Sequence, residues 1–421
     1  MRLLAILLPA ALAAQGQPEP LTLEQAEQLA LRSHPALTAA RLSAAAAGTI
    51  PTQLGAARLP VLNGALSGSV ADHGSRIGAG ALNASSLFSR IGAGFNLSQL
   101  LYDFGRTRNL IDAARDRAAA EGENIRARRA EIILTVRQSY YSALLAAKTI
   151  EATRQALESR RILLRQVSAF AENNLKSTLD VSFAEVGVTE AELELDRASN
   201  ASRTAQAELS AAMGLEPDRE WLLADSTGRL PEGAPIDQLI AEARNARPEL
   251  AVLRRQIDAA RHFAEAEKRL VMPTLSLAGA GGFVPAGDPR LNTRYGGIGL
   301  TVSVPVFNGN LNAARRDEAS LRAQLAEQTL RERELSIARG VKLAWIESDN
   351  ALRRVAATAR YRDQTAKALR LAQSRYDLGL SSIVELTQAQ TARLSADVQN
   401  AAARYELQLR LSRLDYELGR L

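Results

Sequence analysis

Side chains that could carry out catalysis or bind a metal are scarce in this chain of 421 residues. There is no cysteine, which excludes disulfides, thiol catalysis, cysteine-ligated zinc and a lipid-bearing N-terminal cysteine. The three histidines, at positions 34, 73 and 262, lack the spacing of a metal site. No serine, histidine and aspartate are spaced as a nucleophilic triad. We therefore predict that the protein is not an enzyme and holds no cofactor or metal.

Three other features could bind ligands of different kinds. Gly92-x-Gly94 and the segment from Gly279 to Gly282 are glycine-rich, yet neither leads from a nucleotide-binding strand into a helix. The acidic residues from Glu185 to Asp196 are more simply explained as the solvated face of a helix. The net charge of +6 suggests nucleic acid as a partner. Because the arginines are dispersed among glutamates, we predict no nucleic-acid binding.

The N-terminal residues indicate the compartment. Met1-Arg2 is basic, the run from Leu3 to Leu12 is apolar, and Ala11-Leu12-Ala13 has the small-x-small pattern of a cleavage site. This order is typical of a secretory signal peptide, and the apolar run is too short to span a bilayer. We predict a signal peptide over residues 1–14 and an exported mature chain. The alternative is an apolar N-terminal tail.

The rest of the sequence contains an internal duplication. Motifs of the first half recur in the same order in the second, and the offset changes once, between Pro60 and Gly92, which gives the first copy a longer loop. This period is far longer than that of a solenoid repeat. We assign residues 15–214 to the first repeat, 215–235 to a linker and 236–421 to the second repeat. The matching pairs include His34-Pro35 with Arg247-Pro248, Leu59-Pro60 with Met272-Pro273, and Asn174-Leu175-Lys176-Ser177 with Gly379-Leu380-Ser381-Ser382.

Each repeat is predicted to contain two short helices, two strands and two long helices, in that order. The strand segments alternate with period two and are about ten residues long, the length that a tilted membrane strand requires. Because one face of each strand is apolar, we predict membrane strands; a soluble sheet with one wet face is the alternative. The residues predicted to face lipid are Phe95, Leu97, Leu300, Val302 and Val304.

The long helices occupy the second part of each repeat. From Arg106 to Phe170 and from Leu311 to Leu378 the sequence has no proline and very little glycine, and helices of this length reach roughly 100 Å. Turns at Asn173-Asn174 and Gly379 predict two antiparallel coiled-coil hairpins. The predicted seam residues are Val341, Trp345, Ser348, Leu352 and Val355, and then Leu407, Leu411, Leu414 and Leu418.

The predicted membrane strands require an oligomer. Four strands per chain cannot close a barrel, since single-chain barrels begin at about eight strands. An open sheet edge in lipid would leave backbone groups without hydrogen bonds. Several chains must therefore contribute strands to one barrel. Three chains would contribute twelve strands, although strand number alone excludes the monomer without selecting three.

These features together resemble the TolC-type outer-membrane efflux protein family over essentially the whole mature chain. The resemblance implies a mainly α fold with a membrane β-barrel part, in which long hairpins form a periplasmic α-barrel. Four strands per chain would contribute to a trimeric twelve-stranded β-barrel in the cell outer membrane. The motifs that carry it are Leu21-Thr22-Leu23-Glu24-Gln25-Ala26, Leu101-Tyr102-Asp103-Phe104-Gly105-Arg106, Pro305-Val306-Phe307-Asn308-Gly309 and Tyr376-Asp377-Leu378-Gly379-Leu380-Ser381.

The function that the resemblance implies is passive export. Channels of this family act in tripartite efflux or type I secretion systems, docked to a periplasmic membrane-fusion adaptor and an inner-membrane pump of the RND or ABC type. The expected partners are therefore further copies of the chain as a homotrimer, the adaptor, the pump and outer-membrane lipid. The alternative, from another class, is a periplasmic coiled-coil scaffold or adaptor-like interaction protein.

The resemblance also implies roles for the hairpin turns. In the family, the groove region at these turns meets the adaptor; the alternative is that the turn residues only close the coiled coils. The candidate docking residues are Leu175, Lys176, Ser177, Gly379, Leu380 and Ser381.

A periplasmic gate is the second role that the resemblance implies. A tyrosine and acidic residues near the family's turns hold the helices shut and ring the constriction. Asp180, Tyr376 and Glu385 match these positions, although Asp180 could equally be a helix N-cap. A carboxylate ring in a narrow lumen would favour cations. The sequence departs from the family pattern at Gln388, where a second acid can stand, and at Ser381, where a basic partner can stand.

Overall fold

The computed structural model describes residues 20–70, 76–79, 82–86, 89–173, 176–225, 233–286 and 292–421. The predicted signal peptide, residues 1–14, lies outside these ranges, and so does the candidate docking residue Leu175. Both stay predictions. No helix within the described ranges is at once long enough and apolar enough to cross a membrane.

The described elements follow the predicted order, once in each half of the chain. The fold is mainly helical, with two long helices in each half and one four-stranded antiparallel sheet. The first half contains α1 (Leu23–Ser33), α2 (Pro35–Ala56), β1 (Val61–Ser69), β2 (Arg76–Ala79), β3 (Leu82–Ser86), β4 (Arg90–Tyr102), α3 (Arg106–Glu172) and α4 (Thr178–Ala212). The second half contains α5 (Ile236–Ala246), α6 (Pro248–Lys268), a 3-10 turn (Arg269–Val271), β5 (Thr274–Ala286), β6 (Arg294–Ser303), α7 (Leu311–Asp377) and α8 (Ile383–Leu418).

Capping residues and prolines explain the helix boundaries. Thr22 caps α1 through a capping box with Gln25, whose side chain accepts the Thr22 N–H at 2.9 Å. Pro35 and Pro248 are the first residues of α2 and α6, where the missing proline N–H has no helical partner in any case. The long helices α3 and α7 each contain 67 residues, consistent with their strong helix-forming composition.

The sheet has the strand order β1-β4-β5-β6. Leu62 lies opposite Leu97, Leu97 opposite Gly279, and Gly279 opposite Ile298. Residues directly opposite in antiparallel strands share a face. The register therefore places Phe95, Leu97, Leu300 and Val302 on one face, as predicted, and Asn63 and Asn96 on the other.

Two details of the sheet differ from the prediction. The predicted last strand runs to Val306, whereas β6 ends at Ser303, so that Val304 lies one residue beyond the strand. Proline ends the pairing here because Pro305 has no N–H to donate to a neighbouring strand. The predicted longer loop of the first copy contains β2 and β3, which pair with each other as a separate two-stranded sheet.

The chain divides into two compact units. Unit 1 comprises Met1–Leu37, Arg128–Ala246 and Ile337–Leu421, and unit 2 comprises Thr38–Ala127 and Arg247–Ser336. Unit 2 contains the four-stranded sheet, and unit 1 contains both turns between the long helices.

The core of unit 1 fixes the predicted linker. Leu21 forms a parallel bridge with Leu223, and the Tyr140 hydroxyl lies 2.8 Å from the Leu21 carbonyl oxygen and 2.7 Å from that of Ala224. Burial, followed by the nearby Tyr141, raises the pKa of Tyr140 to about 12. Leu21, near the start of the first repeat, and Ala224, within the linker, therefore both lie within hydrogen-bond distance of one hydroxyl on α3.

The coiled-coil seam is partly as predicted. Leu407, Leu411, Leu414 and Leu418 are buried, which confirms the seam on α8. On α7, Val341 and Ser348 are buried, but Trp345 is 36% exposed. Ala344 and Ala351 lie in the core instead. The prediction that Trp345 lies in the seam is therefore wrong, because the small side chains of Ala344 and Ala351 are buried in this stretch of α7.

Candidate functional site at the hairpin turns

The two turns between the long helices share one buried cluster in unit 1. We name residues 176–180, at the start of α4, the first tip, and residues 378–385, at the start of α8, the second tip. Side chains from α3, α4, α7 and α8 meet beside the tips. The predicted gate residue Tyr376 belongs to this cluster, and the predicted docking residue Lys176 lies over its ring. The buried members are Leu163, Val167, Ala184, Ala372, Tyr376, Ile383 and Leu386.

The first tip is organised by a capping box. Ser177 is the N-cap of α4, and its hydroxyl accepts the Leu179 N–H at 3.1 Å. The Asp180 carboxylate accepts the Ser177 N–H at 3.3 Å. This arrangement satisfies backbone donors that a helix start otherwise leaves unpaired. Ser177 is thus the N-cap of α4, not Asp180 as the sequence allowed, and Asp180 completes the capping box from the third helical position.

The second tip depends on a left-handed glycine. Gly379 has φ +74°, its N–H donates to the Tyr376 carbonyl at 3.0 Å, and the Leu380 N–H donates to the Arg375 carbonyl at 2.8 Å. These two bonds satisfy carbonyl groups at the end of α7. Ser382 then caps α8, accepting the Glu385 N–H at 3.4 Å.

Glu385 forms an ion pair that sequence reasoning missed. Its carboxylate lies 3.5 Å from Nε of Arg375, and both side chains are about half exposed. Arg375 also donates to the Leu380 carbonyl at 3.4 Å. The sequence did contain one indication of it, because Arg375 lies in the last turn of α7, where a basic residue complements the helix dipole. Its link to Glu385 depends on the reversal of the chain at Gly379.

Tyr376 is the most buried of the predicted gate residues. It is 3% exposed, and its hydroxyl has no hydrogen-bond partner among the described atoms. The ammonium of Lys176 lies 4.3 Å from the centre of its ring, within cation–π distance. Burial, together with the negative charges of Asp180 and Asp377, raises the pKa of Tyr376.

Large apolar side chains are exposed on the surface of the tips. Leu380 is 67% exposed, and Leu378 and Leu179 are similarly exposed. Ser381 differs, since its hydroxyl is buried and has no hydrogen-bond partner within the described part of the chain. Beside the tips, a groove of about 570 Å³ lies between α4 and α8, lined by Phe183, Val186 and Val384 among others.

Comparison with models of known protein families identifies the family of this chain. The sequence model of the family described as "Outer membrane efflux protein" matches residues 26–215 and 239–420, which together make up most of the chain. The chain belongs to the outer membrane efflux protein family. The two matched segments cover both tips and all four strands of the main sheet.

Individual relatives agree with this assignment. The outer membrane protein OprJ of Pseudomonas aeruginosa is 26% identical over 344 residues, covering 79% of this chain and 70% of OprJ. The alkaline protease secretion protein AprF of the same organism is 24% identical, covering 77% of this chain and 68% of AprF. The crystal structure of the outer membrane protein VceC from Vibrio cholerae superposes with a TM-score of 0.78 at 20% identity, covering 94% of this chain and 96% of VceC.

Family membership gives the chain its location and general function. The protein is an export channel of the outer membrane, with its helical part in the periplasm, and the fold agrees with that of VceC. The family match favours this channel over the periplasmic scaffold that the sequence left as an alternative.

Proposed function

We propose that the protein is the passive outer-membrane duct of a tripartite export system, formed by a homotrimer and docked to a periplasmic adaptor and an inner-membrane pump of the RND or ABC type. In this proposal the chain has no catalytic activity, and the pump supplies the energy. Residues 15–214 and 236–421 act as equivalent halves joined by the linker 215–235, and each half contributes one tip.

The exposed leucines of the tips are the observation that carries the proposal. Leu179, Leu378 and Leu380 are each more than half exposed at the ends of helices whose inner faces are well packed. Large apolar side chains that are exposed at both turns between long helices indicate a protein partner. Because the tips belong to unit 1, which does not contain the four-stranded sheet, the partner that we assign to them is the periplasmic adaptor.

The groove between α4 and α8 offers the adaptor a second contact. Phe183, Val186 and Val384 line it with apolar side chains, and Glu190 and Gln388 add polar groups. An amphipathic helix binds such a groove through its apolar stripe. We assign the adaptor hairpin to this groove, with Lys176, Ser177, Gly379 and Ser381 at its end and with Leu175 as a further predicted contact.

The gate proposal rests on Asp180, Tyr376 and Glu385. Tyr376 joins the packing of the four helices, so a change in that packing is coupled to the position of both tips. Glu385 is half exposed, and three copies in a trimer would form a carboxylate ring that favours cations. Asp180 contributes chiefly by holding the start of α4.

The proposed lipid contacts lie on the apolar face of the sheet. That face carries Phe95, Leu97, Leu300 and Val302. Val304 is the first residue after the end of β6. The opposite face carries Asn63 and Asn96, side chains suited to an aqueous lumen. The cargo is not assigned, since a passive duct takes its specificity from the pump.

The test is Leu380→Asp, compared with Leu222→Asp as a control of matched exposure, 67% against 62%. Both variants would be expressed with the adaptor and pump of the same system, and export would be measured as survival in a pump substrate. We expect Leu380→Asp to abolish export while trimers persist on unheated gels, and Leu222→Asp to retain export. Normal export by Leu380→Asp would contradict the docking assignment.

A further inference from the structure

A cavity in unit 2 lies where strand β4 passes into helix α3. Its volume is about 710 Å³, and it is lined by residues 100–105 and the first turns of α3, together with Arg58, His262 and Arg269. No step of the proposed export function uses it.

The register places this cavity at one end of the apolar face of the sheet. Tyr102 lies opposite Leu275, and Leu275 lies opposite Val302, a residue of that face. Tyr102 and Phe104 line the cavity, with ring centres 4.9 Å apart, and both rings are exposed. Aromatic side chains that are apolar on one side and polar on the other are typical of a membrane–water interface.

Basic side chains exceed acidic ones around the cavity. Four arginines line it, at positions 58, 108, 115 and 269, against two aspartates, Asp103 and Asp112. The Asp103 carboxylate already accepts the N–H groups of Gly105 at 3.1 Å and Thr107 at 2.6 Å, where it caps α3. Asp112 lies between Arg115 at 2.9 Å and Arg108 at 3.9 Å. The Asp112 carboxylate is therefore shared between the guanidinium groups of Arg108 and Arg115.

Two of the four arginines remain available to a ligand. The Arg108 side chain is 80% exposed, and its contact with Asp112 is long. Across the described residues, no carboxylate lies within 4.0 Å of the Arg58 guanidinium. Arg269, by contrast, donates to the Phe104 carbonyl and so helps to shape the joint between strand and helix.

We propose that this cavity binds the phosphate headgroup of an anionic phospholipid, whose acyl chains lie along the apolar face of the sheet. Guanidinium groups bind phosphate through paired hydrogen bonds, and clustered basic residues next to a bilayer attract anionic headgroups. The apolar strands that begin at the cavity accommodate the acyl chains. This inference rests on the outer-membrane position that the proposed function requires.

Inorganic phosphate is the other source of the same chemistry. It would use the arginines but gain nothing from Tyr102, Phe104 or the apolar face, so it would bind weakly and would not depend on acyl chains. The cavity's position at the end of the apolar face favours the lipid. Titrations with phospholipid and with inorganic phosphate therefore distinguish the two sources.

The test is native mass spectrometry of the purified full chain in detergent. Phosphatidylglycerol, which is net negative, would be titrated in parallel with phosphatidylethanolamine, which is net neutral, and with inorganic phosphate. The variant is the double substitution Arg58→Gln with Arg108→Gln. Arg129→Gln is the control, because it removes an exposed arginine farther along α3.

We expect the unaltered protein to retain phosphatidylglycerol in preference to phosphatidylethanolamine. The double variant should lose about thirtyfold in phosphatidylglycerol affinity, as expected for two arginines near a bilayer surface, while Arg129→Gln behaves as the unaltered protein. Equal retention of both lipids, or a double variant that binds as well as the control, would overturn the proposal. So would binding of inorganic phosphate as strong as that of the lipid.

The outcome is separable from that of the docking test. Leu380→Asp changes a residue in unit 1 and should retain phosphatidylglycerol normally. If the lipid test fails while Leu380→Asp still abolishes export, only the lipid site is wrong.

Discussion

The two tips have the same sequence plan but use their acidic residues differently. Ser177 and Ser382 each cap a helix, and an acid follows three residues later, as Asp180 in one and Glu385 in the other. Asp180 bonds back to its own cap residue, whereas Glu385 pairs with Arg375 on the preceding helix.

This difference shows how a duplicated unit can specialise. At the first tip the acid stabilises the start of α4, so its carboxylate is engaged locally by the backbone N–H of Ser177. At the second tip the acid links both helices of the hairpin and remains half exposed. We infer that the first tip is chiefly structural and that the second tip carries the electrostatic function.

The largest expected effect follows from replacing Gly379. Its φ of +74° is incompatible with proline, which fixes φ near −65°, so Gly379→Pro should disrupt the second tip and abolish export. Gly379→Asn is the matched control, because asparagine tolerates this conformation and stands at the equivalent position 174 of the first hairpin. Export by the two variants would be measured as the survival of cells in the presence of a pump substrate.

The result that would contradict this prediction is equal export by the proline and asparagine variants. It would mean that the second tip needs no defined reversal, and the distinction between the tips would lose its basis. Trimers must persist on unheated gels for the comparison to be informative.

An intermediate effect is expected on ion selectivity. Glu385→Ala should reduce cation preference in planar bilayers, because it removes a half-exposed carboxylate from the proposed constriction. Asp180→Ala should change selectivity less, because the charge of Asp180 is engaged at the cap. The reversal potential in a salt gradient measures both, and a larger shift for Asp180→Ala would invert our assignment of the two tips.

The smallest effect concerns Tyr376 at high pH. Its pKa is raised in the folded chain, so the folded state retains the phenolic proton more strongly than the unfolded state does. This contribution to stability is complete below the unfolded pKa of about 10 and is lost as the pH rises through the folded pKa. Tyr376→Phe should therefore remove part of the alkaline loss of stability, measured by circular dichroism against pH.

At neutral pH we expect Tyr376→Phe to change the stability of the protein little, since the hydroxyl has no hydrogen-bond partner within the described residues. An equal alkaline loss in the variant and the unaltered protein would show that the second tip does not depend on this ionisation.

Local patterns in the sequence predicted much of the fold. Period-two alternation correctly grouped Phe95, Leu97, Leu300 and Val302 on one face, because side-chain direction in a strand follows directly from position. The absence of proline and the scarcity of glycine predicted α3 and α7 to within a few residues of their ends.

What the sequence did not predict depends on contacts between distant segments. The pairing of Arg375 with Glu385 needs the reversal at Gly379. The exposure of Trp345 reflects which face of α7 meets the core, and a heptad count alone does not fix that face. The pair β2 and β3 lies in a segment with no counterpart in the second repeat, so the duplication gave no guide to it.

Crosslinking tests the central claim, that the tips dock an adaptor, most directly. Because the chain has no cysteine, Leu380→Cys introduces a single thiol, and Leu222→Cys supplies a control of similar exposure. Each would be expressed with the system's adaptor carrying one cysteine at its hairpin end. We predict a crosslinked product in cells for Leu380→Cys and none for Leu222→Cys. Absence of crosslinking at Leu380 while export proceeds, or equal crosslinking at both positions, would contradict the account.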